Sequence, residues 1–172
     1  TSLKDYLDRM DDDQDEIYYI TGDNREVVEK TPNLEYFIDN DIEVLYFIHP
    51  VDALISSSLD SFEEKEFKSI EKADIDFKES ETKKTKDKDS LSGKPLESLI
   101  KVFKDTLGDR VEDVKASKRL VNSPATLVVG EGGMDPQVER MMKMMNQQGD
   151  FNQKKILEIN PGHPIIKNLN RL

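Results

Sequence analysis

Two short apolar runs, Ile17-Tyr18-Tyr19-Ile20 and Glu43-Val44-Leu45-Tyr46-Phe47-Ile48, constrain this chain more than any other feature in it. Each is too short for a core helix and rich in β-branched or aromatic residues. Turn formers close both, Thr21-Gly22-Asp23 after the first and His49-Pro50 after the second. Continuous apolar character, in place of alternation, marks strands covered on both faces. Between them lie helix starts at Asp23 or Asn24 and at Thr31-Pro32, the second followed by Leu34, Phe37 and Ile38 on one face. Strand, helix, strand in this spacing is a βαβ unit, so the two strands are expected to run parallel. Ser2 to Met10 precedes them as a helix, with Ser2 as cap and Asp5 at the third helical position, and Asp11-Asp12-Asp13 stops it. Val51 to Leu59 follows as a helix and Phe67-Lys68-Ser69-Ile70 as a candidate edge strand.

Lys78 to Lys94 is a polar tract with Leu91 as its one large apolar residue, so it reads as a domain boundary. The expected organisation is an α/β unit over 1–80, a charged linker over 81–94 and a second unit over 95–172. Pro95 to Leu107 is an amphipathic helix, with Leu96, Leu99, Ile100, Phe103 and Leu107 on one side and Gly108 ending it. Val111 to Leu120 and Thr126 to Val129 read as strands around a turn at Asn122-Ser123-Pro124. Lys155 to Ile159 is a further strand, and Asn160-Pro161-Gly162-His163-Pro164 leads into a last helix carrying Ile165, Ile166 and Leu169. The fold class is α/β, α+β overall. It comprises a small three-layer α/β unit with a short parallel sheet, then an α+β unit with a small sheet and a methionine-rich amphipathic helix.

That helix begins at Asp135-Pro136, a capping acceptor followed by a ring pre-set for the first helical φ. Five of the six methionines fall between Met134 and Met145. At about 100° per residue, Val138, Met141, Met142 and Met145 share one arc, Met144 sits off it, and Glu139, Arg140 and Lys143 point away. Gly132-Gly133 before the helix and Asn146-Gln147-Gln148-Gly149 after it read as flexible joints. The stripe has two readings: a buried core face, or an exposed face whose unbranched thioethers re-pack against many shapes.

A net charge of −11 argues against nucleic acid as a partner. No apolar run approaches about eighteen residues, and neither a signal peptide nor a lipidation motif is present, so a soluble, cytoplasmic protein with no membrane partner is expected. With no cysteine, disulfides and thiol chemistry are excluded. The loop Thr21-Gly22-Asp23-Asn24-Arg25 has one glycine where a dinucleotide fingerprint needs three. His49 and His163 each precede a proline and read as turn or cap residues. The carboxylates of Asp11 to Glu16 lack the spacing of a calcium loop. No catalytic residue and no metal site is expected.

Several segments together resemble one family. Tyr6-Leu7-Asp8-Arg9-Met10 followed by Ile17-Tyr18-Tyr19-Ile20-Thr21 is similar to a run in the heat shock protein 90 chaperones, the bacterial high-temperature protein G kind included. Pro32-Asn33-Leu34-Glu35, Leu107-Gly108-Asp109-Arg110-Val111, Ser123-Pro124-Ala125 and Leu157-Glu158-Ile159-Asn160-Pro161-Gly162-His163-Pro164 continue in the same order. The resemblance implies the last α/β part of the middle domain joined to the C-terminal dimerisation domain, without the final bundle helices. ATP and Mg would bind outside this region, so the piece itself is expected to be no enzyme and to hold no cofactor. The implied partners are non-native client proteins, with co-chaperones and a second copy of the parent chain. The family's client-contacting helix aligns with the methionine stripe and places Met134, Val138, Met141 and Met142 at its apolar positions; Met145, on the same stripe, completes the expected client-binding face. A second client-contacting patch aligns with Leu54 and Ile55, where some bacterial members carry tryptophan and methionine. The alternative is a scaffold that only joins the ATPase machinery to the dimer bundle.

Overall fold

The computed structural model describes residues 2–56, 58–77, 90–145 and 153–171, apart from the side chains of Ala53, Leu54 and Ser56. Helix α1 (Leu3–Leu7) is closed by the expected capping box: Asp5 N–H donates to Ser2 Oγ at 3.1 Å, and Ser2 N–H to the Asp5 carboxylate at 2.8 Å. Its buried Tyr6 donates to the Glu43 carbonyl at 2.9 Å and accepts from Tyr18 N–H at 3.1 Å, which fixes α1 to the first sheet. That sheet contains β1 (Glu16–Thr21), β2 (Leu45–Phe47), β3 (Ser61–Phe62) and β4 (Lys65–Ser69), in the order β2-β1-β4-β3. The β1–β2 pair is parallel, with Tyr19 opposite Leu45, as the βαβ spacing predicts.

Between β1 and β2 run α2 (Arg25–Val28), a 3₁₀ turn over Pro32–Leu34 and α3 (Glu35–Asp39). Asn24 is the residue that caps α2, accepting from Val27 N–H at 3.0 Å. The core beneath them is aromatic, with Tyr18 and Phe37 ring centroids 4.8 Å apart and Tyr36 and Phe77 4.7 Å apart. Helix α4 (Pro50–Ser56) follows β2.

The second half begins with α5 (Gly93–Leu107), whose apolar stripe packs on Val114, Ile159 and Ile166. Its sheet holds β5 (Asp113–Ala116), β6 (Ala125–Val129) and β7 (Lys155–Ile159) in the order β5-β7-β6. Helix α6 (Pro136–Met145) connects β6 to β7, and α7 (Pro164–Leu169) ends the described chain. His163 caps α7, its Nδ1 accepting from Ile165 N–H at 3.2 Å.

Four expectations need correction. β4 is not an edge strand: it pairs in parallel with β1 and antiparallel with β3, so the first sheet is mixed. The buried strand expected over 43–48 is three residues long and half-buried, because β2 lies at an edge of the sheet. The strand expected over 111–120 stops at Ala116, after which the chain bends to bury Arg119. Beyond this, β5 and β6 do not pair with each other; β7 inserts between them, parallel to β5 and antiparallel to β6. Helix α5 starts at Gly93, inside the expected linker, with Leu91 N–H held by the Pro161 carbonyl at 3.1 Å. The rest of that linker, over 78–89, lies outside the described residues, as does Asn146 to Gly149.

A polar seam joins the two cores. The outer edge of β6 is met by the segment after β4: Val129 N–H donates to the Glu71 carbonyl and Ala73 N–H to the Val129 carbonyl, both at 2.8 Å. Glu35 accepts from the N–H groups of Val121, Asn122 and Ser123 at 2.6, 2.8 and 3.0 Å and also from the Ser123 hydroxyl. Burial raises the Glu35 carboxyl, but these donors, Ser123 first, outweigh it and hold the group below its ordinary value. A lowered folded value means that the contribution of Glu35 is full above the unfolded value and is lost as pH falls through the folded one. Glu35→Ala leaves three backbone donors without their acceptor and is expected to cost about 1–3 kcal/mol in chemical denaturation. The deficit should shrink on acidification; one that stays constant down to acid unfolding would remove Glu35 from the seam.

Candidate functional site: the methionine face

The segment leading into α6 is built tightly. Gly132 has φ +73°, where a side chain is strained. A Cβ on Gly133 would lie 1.8 Å from Gln153 Nε2 and 2.3 Å from Val129 Cγ1. Of the glycine pair read as a flexible joint, Gly133 is thus closely packed, and the turn is anchored further by Met134 N–H donating to Gln153 Oε1 at 2.9 Å. At the helix start, Asp135 Oδ1 accepts from Gln137 N–H at 2.9 Å, the capping role expected of it. The root of α6 is tied to the first half by Thr21 Oγ1, 2.8 Å from Asp135 Oδ1, and by the Arg140–Asp23 ion pair at 2.7 Å. That pair is about half exposed on both sides and contributes little, on the order of 0–1 kcal/mol.

Along α6 the exposure rises toward its end. Met134, Val138 and Met141 are half-buried, whereas Met142, Met144 and Met145 are 39%, 77% and 84% exposed. Glu139 was expected to point away and is instead buried, with Lys143 Nζ 2.6 Å from its carboxylate. The helix thus rests on Pro136 and Glu139 at its base, with Val138 and Met141 partly covered. The outer methionines are left to solvent.

Helix α4 lies against α6. The two patches singled out in sequence, at Leu54–Ile55 and at 134–145, are therefore neighbours in space, which no sequence signal indicated. Ile55 and Val51 are 45% and 55% exposed, and the Leu54 side chain lies outside the described part. Exposed apolar side chains, Val51 and Ile55 on α4 and Met142, Met144 and Met145 on α6, are thus carried by two helices in contact.

A cleft of about 220 Å³ beside α1 is lined by Tyr6, Arg9, Gln14 and Glu43 among others. Its polar groups are engaged with one another: Arg9 is bidentate to Glu43 at 2.8 Å, and Gln14 Nε2 donates to Tyr6 Oη at 3.0 Å. Among the described residues no group of three or more His, Asp or Glu is placed to hold a metal ion. No helix among them is long and apolar enough to cross a membrane.

A family model described as "Hsp90 protein" matches residues 1–172. The chain is similar to the protein named "Chaperone protein HtpG" of Chlorobium luteolum, at 52% identity over 98% of this chain and 26% of that protein. The proteins of the same name from Chlorobaculum tepidum and Wolbachia pipientis wMel are 48% and 38% identical over 98% of this chain, which covers 26% and 27% of them. The chain thus spans about a quarter of the length of the curated relatives it matches. A family model that matches the chain from end to end, together with relatives at up to 52% identity, shows that this chain belongs to the Hsp90 family.

Proposed function

We propose that this chain is the client-contacting part of a molecular chaperone, binding non-native protein through the exposed methionines of α6 and the adjoining face of α4. The observation that carries this reading is the exposure of Met142 and Met145, on the arc of α6, with exposed Ile55 on the helix beside it. An apolar face that folding leaves uncovered has its burial free energy available for a partner, at roughly 25 cal/mol per Å². Thioether chains suit partners without a fixed shape. The chain performs no catalysis of its own; ATP and Mg belong to parts of the chaperone outside it, and a second copy pairs with it there. The polar seam favours a joining role as well, since it couples this face rigidly to the first unit.

Photo-crosslinking tests the contact. With photo-methionine incorporated, reduced and carboxymethylated α-lactalbumin, which cannot fold, is expected to crosslink at Met142 and Met145 and not at Met10. Crosslinks confined to Met10, or none at all in the presence of saturating client, would exclude this face.

A further inference from the structure

Glu71 stands where three elements meet. Its carbonyl is fixed by Val129 N–H at the edge of β6. Its carboxylate Oε2 lies 3.2 Å from Thr21 Oγ1, at the end of β1. The same hydroxyl lies 2.8 Å from Asp135 Oδ1, the oxygen that caps the methionine helix. The other Asp135 oxygen, Oδ2, is buried and receives no hydrogen bond from the described residues. A hydroxyl has one proton to donate, so Thr21 cannot satisfy both carboxylates at once. Ionised together, the two repel; a proton held by one removes the repulsion.

We propose that Glu71, acting with Thr21 on Asp135, is a positioning residue for the methionine helix, setting how Met141, Met142 and Met145 are presented to a client. The idea rests on the docking reading above, yet its geometry is independent of any client. Burial, and then the Asp135 carboxylate, push Glu71 up to about 7. The Thr21 hydroxyl, then Lys155 and Arg140, act against this, Arg140 being itself engaged by Asp23. Tyr19, raised to about 12 by burial and then by Asp135 and Glu71, stays neutral beside them, and Arg119 senses Glu71 from across the seam. The folded value lies above the ordinary 4.5, so the folded arrangement favours the protonated acid. The hold of Glu71 and Thr21 on the helix root is therefore strongest at low pH and weakens as pH rises through about 7.

Methyl NMR of methionine-labelled chain reads this directly, because five of the six methionines lie in this segment and Met10 serves as an internal control. The Met134 and Met141 methyl signals are expected to titrate with a midpoint near neutrality while Met10 stays flat. In Glu71→Gln, an uncharged stand-in for the protonated acid, the titration should vanish with the folded spectrum retained. Thr21→Ser should keep it, and Thr21→Val should move its midpoint. Affinity for carboxymethylated α-lactalbumin should fall from about pH 6 to 8 in the unaltered chain and be flat in Glu71→Gln. A titration that persists in Glu71→Gln, or none in the unaltered chain, overturns the proposal. A titration without any change in client affinity overturns the positioning role. Failure of the docking reading itself would appear elsewhere, as client affinity indifferent to loss of the outer methionines.

Discussion

Arg119→Ala is expected to destabilise the protein by about 3–5 kcal/mol, a large part of the roughly 5–15 kcal/mol that holds a typical domain folded. Arg119 has no exposed surface, and every face of its guanidinium is engaged. Nε and Nη2 reach the two oxygens of Glu158 at 3.0 and 3.2 Å; Nη1 donates to the Ile70 carbonyl, and Nη2 to the Lys72 carbonyl at 2.6 Å. The plane also lies over the Phe77 ring, 5.0 Å from its centroid. One side chain from the second half thus terminates two backbone carbonyls and an aromatic core edge of the first. Removing it strands a carboxylate that is 8% exposed and orphans both carbonyls.

The chemistry of the fork also orders the variants. Arg119→Lys keeps the charge but has no planar fork, so it should recover only part of the loss. Arg119→Ala with Glu158→Gln relieves the stranded charge and should be less damaging than Arg119→Ala alone, because the penalty lies mainly in the unpaired carboxylate. Urea denaturation followed by far-ultraviolet circular dichroism measures all three. A cost for Arg119→Ala under about 1 kcal/mol would show that the seam is not held as described.

Much of the fold was legible because its signals are local. The capping box at Ser2–Asp5, the Asn24 and His163 caps and the stripe of α5 are fixed by neighbours a few residues apart, where spacing alone decides. The parallel β1–β2 pair followed from the short run of chain between them. What failed was long-range. Nothing in Lys155–Ile159 says that it inserts between β5 and β6, and nothing in Lys65–Ser69 says that it pairs on both sides. Strand order depends on which edges are left free, and that is settled by the whole fold.

The same limit explains Arg119 and Glu139. A charged residue in a strand-like or helical pattern is read as solvated, and burial becomes visible only once its partners, Glu158 or Lys143, are seen beside it. In the methionine face, periodicity placed Val138, Met141, Met142 and Met145 on one arc. It did not foresee that the inner pair would be half-covered, nor that α4 would lie alongside.

The central claim is that the outer methionines of α6 serve a partner and not the fold. Its most direct test is the double variant Met142→Ser with Met145→Ser, taken through thermal denaturation and a titration with carboxymethylated α-lactalbumin. Both side chains are exposed, so the melting should match the unaltered chain to within about 0.5 kcal/mol. Burying a methionine fully is worth about 1.5–3 kcal/mol. If a flexible client covers about half of each side chain, the two together supply about 1.5–3 kcal/mol, so affinity should fall by roughly 10- to 100-fold. Met144 lies off the arc, so Met144→Ser, although 77% exposed, should change affinity little. A folded double variant that binds client as tightly as the unaltered chain, or one that melts several kcal/mol earlier, would contradict the account.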